Sequence, residues 1–303
     1  MTLSPETARL MAEFAKSDGK ALQDMTVQEA RILSEGLTAL GLPADSSVTI
    51  ADGHLPVNGG DILLRTLTPT GTPLGVLMFI HGGGWVIGSA AEWTSLGTHL
   101  AAATGCIVVL PDYRMAPENP FPTAVEDCWT ALCAVANAYT LPLFVGGDSA
   151  GGNLAAVMAL RARDRGGLSL AGQVLVYPVT DHDPLRPSWT AKENQQILTA
   201  TGMAWFWDHY VPAPSERLHQ DASPLQANSH TGLPPSLILL AEHDVLHDEG
   251  AAYADRLAAA GNALSREIYL GETHGFLTLG GVLPAATRAI ASIGSWTRRL
   301  LTI

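Results

Sequence analysis

Five short, unbroken apolar runs constrain this chain most: VLMFI from Val76, CIVVL from Cys106, LFVGG from Leu143, GQVLVYP from Gly172 and SLILLAE from Ser236. A strand with one wet face alternates apolar and polar residues, and these runs do not alternate. Helical stretches separate or follow them, at roughly 91–103, 122–139, 151–165 and 246–261, with a last one near 284–301. Strands that are apolar on both faces, with helices between them, predict an α/β protein whose mostly parallel sheet is covered on both sides. In such sheets ligands bind beyond the carboxyl ends of the strands, so those positions are where chemistry is expected.

The chain before residue 74 reads differently. Ser4-Pro5 and Thr26 are start signals for two helices, the second ending near Gly41-Leu42-Pro43. SVTIAD and GGDILLRTLTP read as an antiparallel hairpin. A second irregularity lies between LVYP and SLILLAE, where about 60 residues intervene and TGMAWFWDHYVP concentrates Trp205, Phe206, Trp207 and Tyr210. That length suggests extra helices above the sheet. Their aromatic stripe can dock them on the core, form an apolar wall toward a ligand, or both.

Four strand ends carry reactive residues. Gly147-Asp148-Ser149-Ala150-Gly151 fits G-x-S-x-G between a strand and a helix, the context in which a serine hydroxyl is exposed on a tight turn as a nucleophile. The helix N-terminus behind it favours developing negative charge. His81-Gly82-Gly83-Gly84 ends another strand. Three consecutive glycines let backbone N–H groups turn inward, and with the N–H of Ala150 they can form an oxyanion hole; His81 reads as an anchor for this loop. A serine also needs a base. Of ten histidines, His99 and His209 fall in helical stretches, and His54, His182, His219 and His230 in loops away from strand ends. His274 follows a late strand and precedes Gly-Phe, which makes it the candidate base. Asp244, just past SLILLAE, is the candidate acid, with Glu242 and Asp248 as rivals. The order Ser149, Asp244, His274 is the Ser…Asp…His order of α/β hydrolases.

Composition excludes other classes. The formal net charge is −12 and lysine and arginine do not cluster, which argues against a nucleic-acid partner. Arg298-Arg299 reads as the polar face of a last helix. No apolar run approaches the ~18 residues of a membrane span, and the N-terminal stretch MTLSPETARLMAEF lacks the basic-then-apolar pattern of a secretory signal. Cys106, Cys128 and Cys133 form no disulfide pattern, which fits free thiols in a reducing cytoplasm.

These residues together resemble the hormone-sensitive-lipase-like (bacterial family IV) carboxylesterases of the α/β-hydrolase superfamily, in their GDSAG branch. The resemblance rests on HGGGWVIGS, PDYRMAPENPFPTAVED, GDSAGGN, DVLHDEG and HGF, and spans nearly the whole chain. It implies an α/β-hydrolase fold with a helical cap: residues 1–45 as N-terminal cap helices, 46–182 and 226–303 as the catalytic core, and 183–225 as a cap insertion. It implies a triad of Ser149, Asp244 and His274, and an oxyanion hole of Gly83, Gly84 and Ala150. Trp85, Trp205, Trp207 and Phe276 are expected to contact substrate. The implied substrate is a small hydrophobic ester with a short- to medium-length acyl chain, hydrolysed without a metal or organic cofactor. Dimers through an edge strand are common in the family and are expected here. One departure is Val245, where the family often has proline; another is the missing glycine-tyrosine pair before TGMAWFWDHY.

Two rival readings remain at this level. His243-Asp244-Val245-Leu246-His247 approximates the zinc pattern H-E-x-x-H, but has aspartate in place of the glutamate and starts at a strand end. Plant gibberellin receptors also resemble the family and bind rather than hydrolyse; in them the catalytic histidine is replaced, whereas His274 stands here.

Overall fold

A computed structural model describes residues 2–16 and 19–302. The chain opens with α1 (Pro5–Phe14) and α2 (Val27–Leu37). Ser4 caps the first through the Thr7 N–H, and Thr26 and Glu29 form a reciprocal capping box on the second. The hairpin β1 (Thr49–Val57) and β2 (Gly60–Thr68) follows. Then come β3 (Val76–Ile80), α3 (Thr94–Thr104), β4 (Ile107–Pro111), α4 (Thr123–Ala138), β5 (Leu143–Asp148), α5 (Ala150–Arg165) and β6 (Gly172–Val176). The long insertion holds α6 (Pro187–Thr190) and α7 (Ala200–Tyr210). The chain closes with β7 (Ser236–His243), α8 (His247–Ala259), β8 (Leu264–Thr273) and α9 (Pro284–Leu301).

All eight strands form one sheet in the order β1-β2-β4-β3-β5-β6-β7-β8. β1 pairs antiparallel with β2, and β2 with β4; every other pairing is parallel. The hairpin thus extends the parallel sheet at one edge, and β8 forms the other.

The unbroken apolar runs have the predicted cause. Along β3 the side chains alternate between two cores: Val76, Met78 and Ile80 pack with α4 and α5, while Leu77 and Phe79 pack with α3 and α9. Each face has its own helical layer, so neither can be polar. α3 begins at Thr94, later than the expected 91, because Ser89 to Glu92 form a turn in which the Ser89 hydroxyl accepts the Glu92 N–H. Among the described residues, no helix is long and apolar enough to cross a membrane.

Candidate active site

The loop from β5 to α5 is shaped by close approach. A methyl group on Gly147 would lie 2.3 Å from the Gly151 carbonyl oxygen, and one on Gly151 would lie 2.0 Å from that of Ile80. Only hydrogen fits at either position, so strand, turn and helix can pack this tightly. Ser149 between them takes φ 55°, a costly backbone state for a residue with a side chain. Its N–H donates to the Val176 carbonyl at 2.9 Å, which holds the turn against β6. Ala150 is the first residue of α5, where an N–H has no intrahelical acceptor.

Asp244 and His274 lie just beyond β7 and β8, and the sheet brings both to Ser149. His274 Nδ1 is 2.7 Å from Asp244 Oδ2, and His274 Nε2 is 2.9 Å from Ser149 Oγ. A carboxylate can only accept, so Nδ1 carries the ring proton and Nε2 is left to accept from the hydroxyl. All three residues are buried. The second carboxylate oxygen of Asp244 accepts the Leu246 N–H at 2.9 Å. The rival acids serve elsewhere: Glu242 accepts from the Gly271 N–H and Asp248 from the Ser188 N–H.

The glycine loop borders the same cavity. Gly83 and Gly84 have φ 99° and 57°. A methyl group on Gly83 would sit 2.0 Å from the Ile87 carbonyl oxygen, and one on Gly84 2.2 Å from the Phe206 ring. His81 is buried and stacked on Tyr113 at 4.2 Å, and its Nδ1–H donates to the Gly82 carbonyl at 2.8 Å. Burial holds its pKa below the usual histidine value. It is a fixed part of the loop, as expected.

Asp148, one residue before Ser149, faces this loop. Its Oδ1 accepts from the Trp93 indole N–H at 2.7 Å and the Gly82 N–H at 3.1 Å. Burial pushes its carboxyl up to about 6, against the pull of those donors and of His274. In the sequence Asp148 appears only as the x of G-x-S-x-G, and no local spacing links it to Trp93.

A cavity of about 870 Å³ opens on Ser149, Asp148, His274, Gly83 and Gly84. Its walls come from α2 (Leu33, Leu37), α7 (Met203, Phe206), the stretch Gln196–Leu198, and Leu277, Leu279 and Ile290. The four residues expected to contact substrate do not line it. Trp85 is fully buried and stacks on Tyr210 at 4.1 Å; Trp207 is fully buried against Trp85 and His182. Trp205 packs on His209, and Phe276 lies buried under Tyr177 and Tyr269. The helical period explains this: on α7, Trp207 and Tyr210 share the face docked on Trp85, and Phe206 takes the cavity side. The aromatic stripe therefore does both jobs, with different residues.

The insertion also holds the loop that carries Asp244. Asn194 donates to the Asp244 carbonyl at 3.1 Å, and the Ser188 hydroxyl donates to the Val245 carbonyl at 2.7 Å. Glu249 is fully buried, accepts from the Thr180 N–H at 2.8 Å and the Trp189 indole at 3.2 Å, and is pushed up to about 8 by burial. These ties join the insertion to the segment after β6, to α8 and to the Asp244 loop. Of the zinc-like stretch, His243 lies beside Glu242 at 3.8 Å, while His247 Nδ1–H donates to the Ala241 carbonyl at 2.7 Å. Among the described residues, no group of three or more His, Cys, Asp or Glu is arranged to hold a metal ion.

Sheet order, crossovers and a strand-to-helix serine facing a histidine and an aspartate from later strand ends define the class: an α/β hydrolase. Comparison with known proteins agrees. The family model for the alpha/beta hydrolase fold matches residues 77–278. The ethyl acetate hydrolase of Pseudomonas putida is 34% identical over 97% of this chain and 98% of its own length. Carboxylesterase NlhH of Mycobacterium tuberculosis is 35% identical over 94% of this chain and 86% of its own. A solved ester hydrolase from the metagenome of Lake Arreo superposes with a TM-score of 0.95 at 32% identity, covering 100% of both chains. The chain belongs to the hormone-sensitive-lipase-like carboxylic ester hydrolases of the α/β-hydrolase superfamily.

Proposed function

We propose that this chain is a serine carboxylesterase acting on short- to medium-chain acyl esters through an acyl-enzyme. The observation that carries the reading is the continuous chain Asp244 Oδ2, His274 Nδ1, His274 Nε2, Ser149 Oγ, with contacts of 2.7 and 2.9 Å, at the floor of an apolar cavity. Ser149 Oγ attacks the ester carbonyl while His274 takes its proton, and the tetrahedral oxyanion rests on the N–H groups of Gly83, Gly84 and Ala150. His274 then protonates the departing alcohol. Water, activated by the same imidazole, releases the acid by the reverse sequence. Asp244 keeps the proton on Nδ1 and offsets the imidazolium charge. No step calls for a metal or organic cofactor.

Residues 1–45 and 183–225 act as the cap in this reading, supported by the share of the cavity wall that α2 and α7 supply. Homodimerisation through β8 belongs to the same proposal. It is supported by the edge position of that strand and by its exposed Ile268 and Leu270, the latter 72% accessible; size-exclusion chromatography of Leu270→Glu against wild type tests it. A reducing, cytoplasmic setting is supported by the three free cysteines.

The test is initial rates on p-nitrophenyl esters from acetyl to palmitoyl, for wild type and Ser149→Ala, with and without a chelator. The expected result is chelator-insensitive turnover peaking at short to medium chains, and a loss of about 10⁴-fold or more in the mutant. Activity that survives in Ser149→Ala, or that the chelator abolishes, would overturn the reading.

A further inference from the structure

We propose that Arg31, on the N-terminal helix α2, is a positioning residue for the oxyanion loop, so that docking of this helix sets the rate of the chemical step as well as walling the cavity. The inference rests on the proposed role of Gly83 and Gly84.

The loop is held in an unfavourable shape. Gly83, Gly84 and Trp85 succeed one another at φ 99°, 57° and 60°. Trp85 carries a side chain, so its backbone state persists only where the surroundings enforce it. From inside, the Gly83 carbonyl accepts the Val86 and Ile87 N–H groups at 3.1 and 2.9 Å, and the Trp85 carbonyl accepts the Ala116 N–H at 2.9 Å. From outside, the Arg31 guanidinium closes the same segment. Its Nε–H donates to the Val86 carbonyl at 3.0 Å and its Nη2 to the Ala116 carbonyl at 3.1 Å. These two carbonyls flank the Trp85–Ala116 bond on either side.

The guanidinium is itself fixed. Nη1 and Nη2 donate to the two oxygens of Glu118 at 2.8 and 2.7 Å, and Arg31 holds the Glu118 carboxyl below its usual range. Three residues along the same face of α2, the Ser34 hydroxyl donates to Glu92. A planar fork reaching two carbonyls and a carboxylate at once is specific to arginine; lysine offers one point donor. α2 also contributes Leu33 and Leu37 to the cavity wall. Substrate enclosure and the shape of the oxyanion loop are therefore held by one helix.

The experiment compares wild type, Arg31→Met, Arg31→Lys and Glu118→Gln on p-nitrophenyl butyrate, reading kcat and KM separately, with thermal melting of each. The rate of inactivation by a p-nitrophenyl phosphonate is read in parallel; Ser149 Oγ displaces p-nitrophenolate from phosphorus, and the tetrahedral phosphonyl adduct places its oxygen where the oxyanion would sit. Arg31→Met is expected to lower kcat and the inactivation rate by about 10- to 100-fold with KM within about threefold, since complete loss of one oxyanion donor costs ~100- to 1000-fold. Arg31→Lys and Glu118→Gln should each fall between it and wild type, the latter because a neutral amide holds the guanidinium less firmly than the carboxylate does. A rise in KM at unchanged kcat and inactivation rate would overturn the proposal, because Arg31 would then act on the cavity wall alone. If Arg31→Met shows no cooperative melt, Arg31→Lys carries the same criterion. Absence of turnover and inactivation in wild type is a separate outcome; it would overturn the esterase reading and this inference with it.

Discussion

The Trp93 indole N–H donates to the Asp148 carboxylate at 2.7 Å, across from the turn that carries Ser149. The same Oδ1 accepts the Gly82 N–H. One buried carboxylate thus ties α3's leading turn and the start of the glycine loop to the end of β5.

This arrangement has a cost that depends on pH. Burial raises the Asp148 carboxyl in the folded protein to about 6 from an ordinary value of 3.8. A raised value means that the folded state binds the proton more tightly than the unfolded chain. The associated stability is present below pH ~4 and is lost as pH rises through about 6. Asp148→Asn keeps an oxygen for Trp93 and Gly82 but never ionises. Its melting temperature relative to wild type should therefore rise between pH 4.5 and pH 8, by a few degrees, corresponding to at most about 3 kcal/mol. Calorimetry at the two pH values checks this; a constant difference would place the ionisation cost elsewhere.

Asp244→Asn should leave the protein folded and slow it severely. The asparagine amide can present its N–H₂ to His274 Nδ1, which stabilises the tautomer with the proton on Nε2, facing Ser149 Oγ. A loss of about 10³- to 10⁴-fold in kcat is expected. The Asn194 and Ser188 bonds to the acid loop go to backbone carbonyls of residues 244 and 245 and are unaffected, so melting should change little. Near-wild-type kcat would return weight to Glu242 or Asp248.

Gly84→Ala should cost at least about 100-fold in kcat/KM. The new methyl group would lie 2.2 Å from the Phe206 ring, and the residue already sits at φ 57°. Two causes act together, and a double-mutant cycle separates them. Gly84→Ala/Phe206→Ala removes the clash but keeps the backbone strain, so it should recover part of the lost activity. No recovery would mean that strain alone is responsible.

Phe206→Leu should change which chain lengths are preferred. Phe206 is buried against the glycine loop and walls the cavity. The shortened side chain leaves room for apolar substrate, each further buried CH₂ being worth about 0.8 kcal/mol, or roughly fourfold. The octanoyl-to-acetyl ratio of kcat/KM on p-nitrophenyl esters should rise at least about fourfold. An unchanged ratio would put Phe206 on the alcohol side of the site.

Much of the fold was legible because it follows from local pattern. Doubly apolar strands, capped helices and turn glycines are set by residues within a few positions of one another, and 76–80, 106–110 and 143–147 declare a sheet covered on both faces without reference to anything distant. That Ser149, Asp244 and His274 would meet was legible because a parallel sheet sends the carboxyl ends of its strands to the same side. What the chain could not disclose were relationships with no fixed spacing. That Phe206 rather than Trp205 or Trp207 meets the cavity depends on how α7 is rotated about its axis, which packing against Trp85 decides. That Trp93 meets Asp148 and Arg31 meets Val86 depends on contacts spanning 55 residues each. Such pairs arise only when the sheet order is fixed and the helices settle on it. Order along the chain thus sets the class of fold and the residues available for chemistry, whereas which side chains wall the cavity and which hold the loops in shape follows from docking geometry between elements that no local spacing encodes.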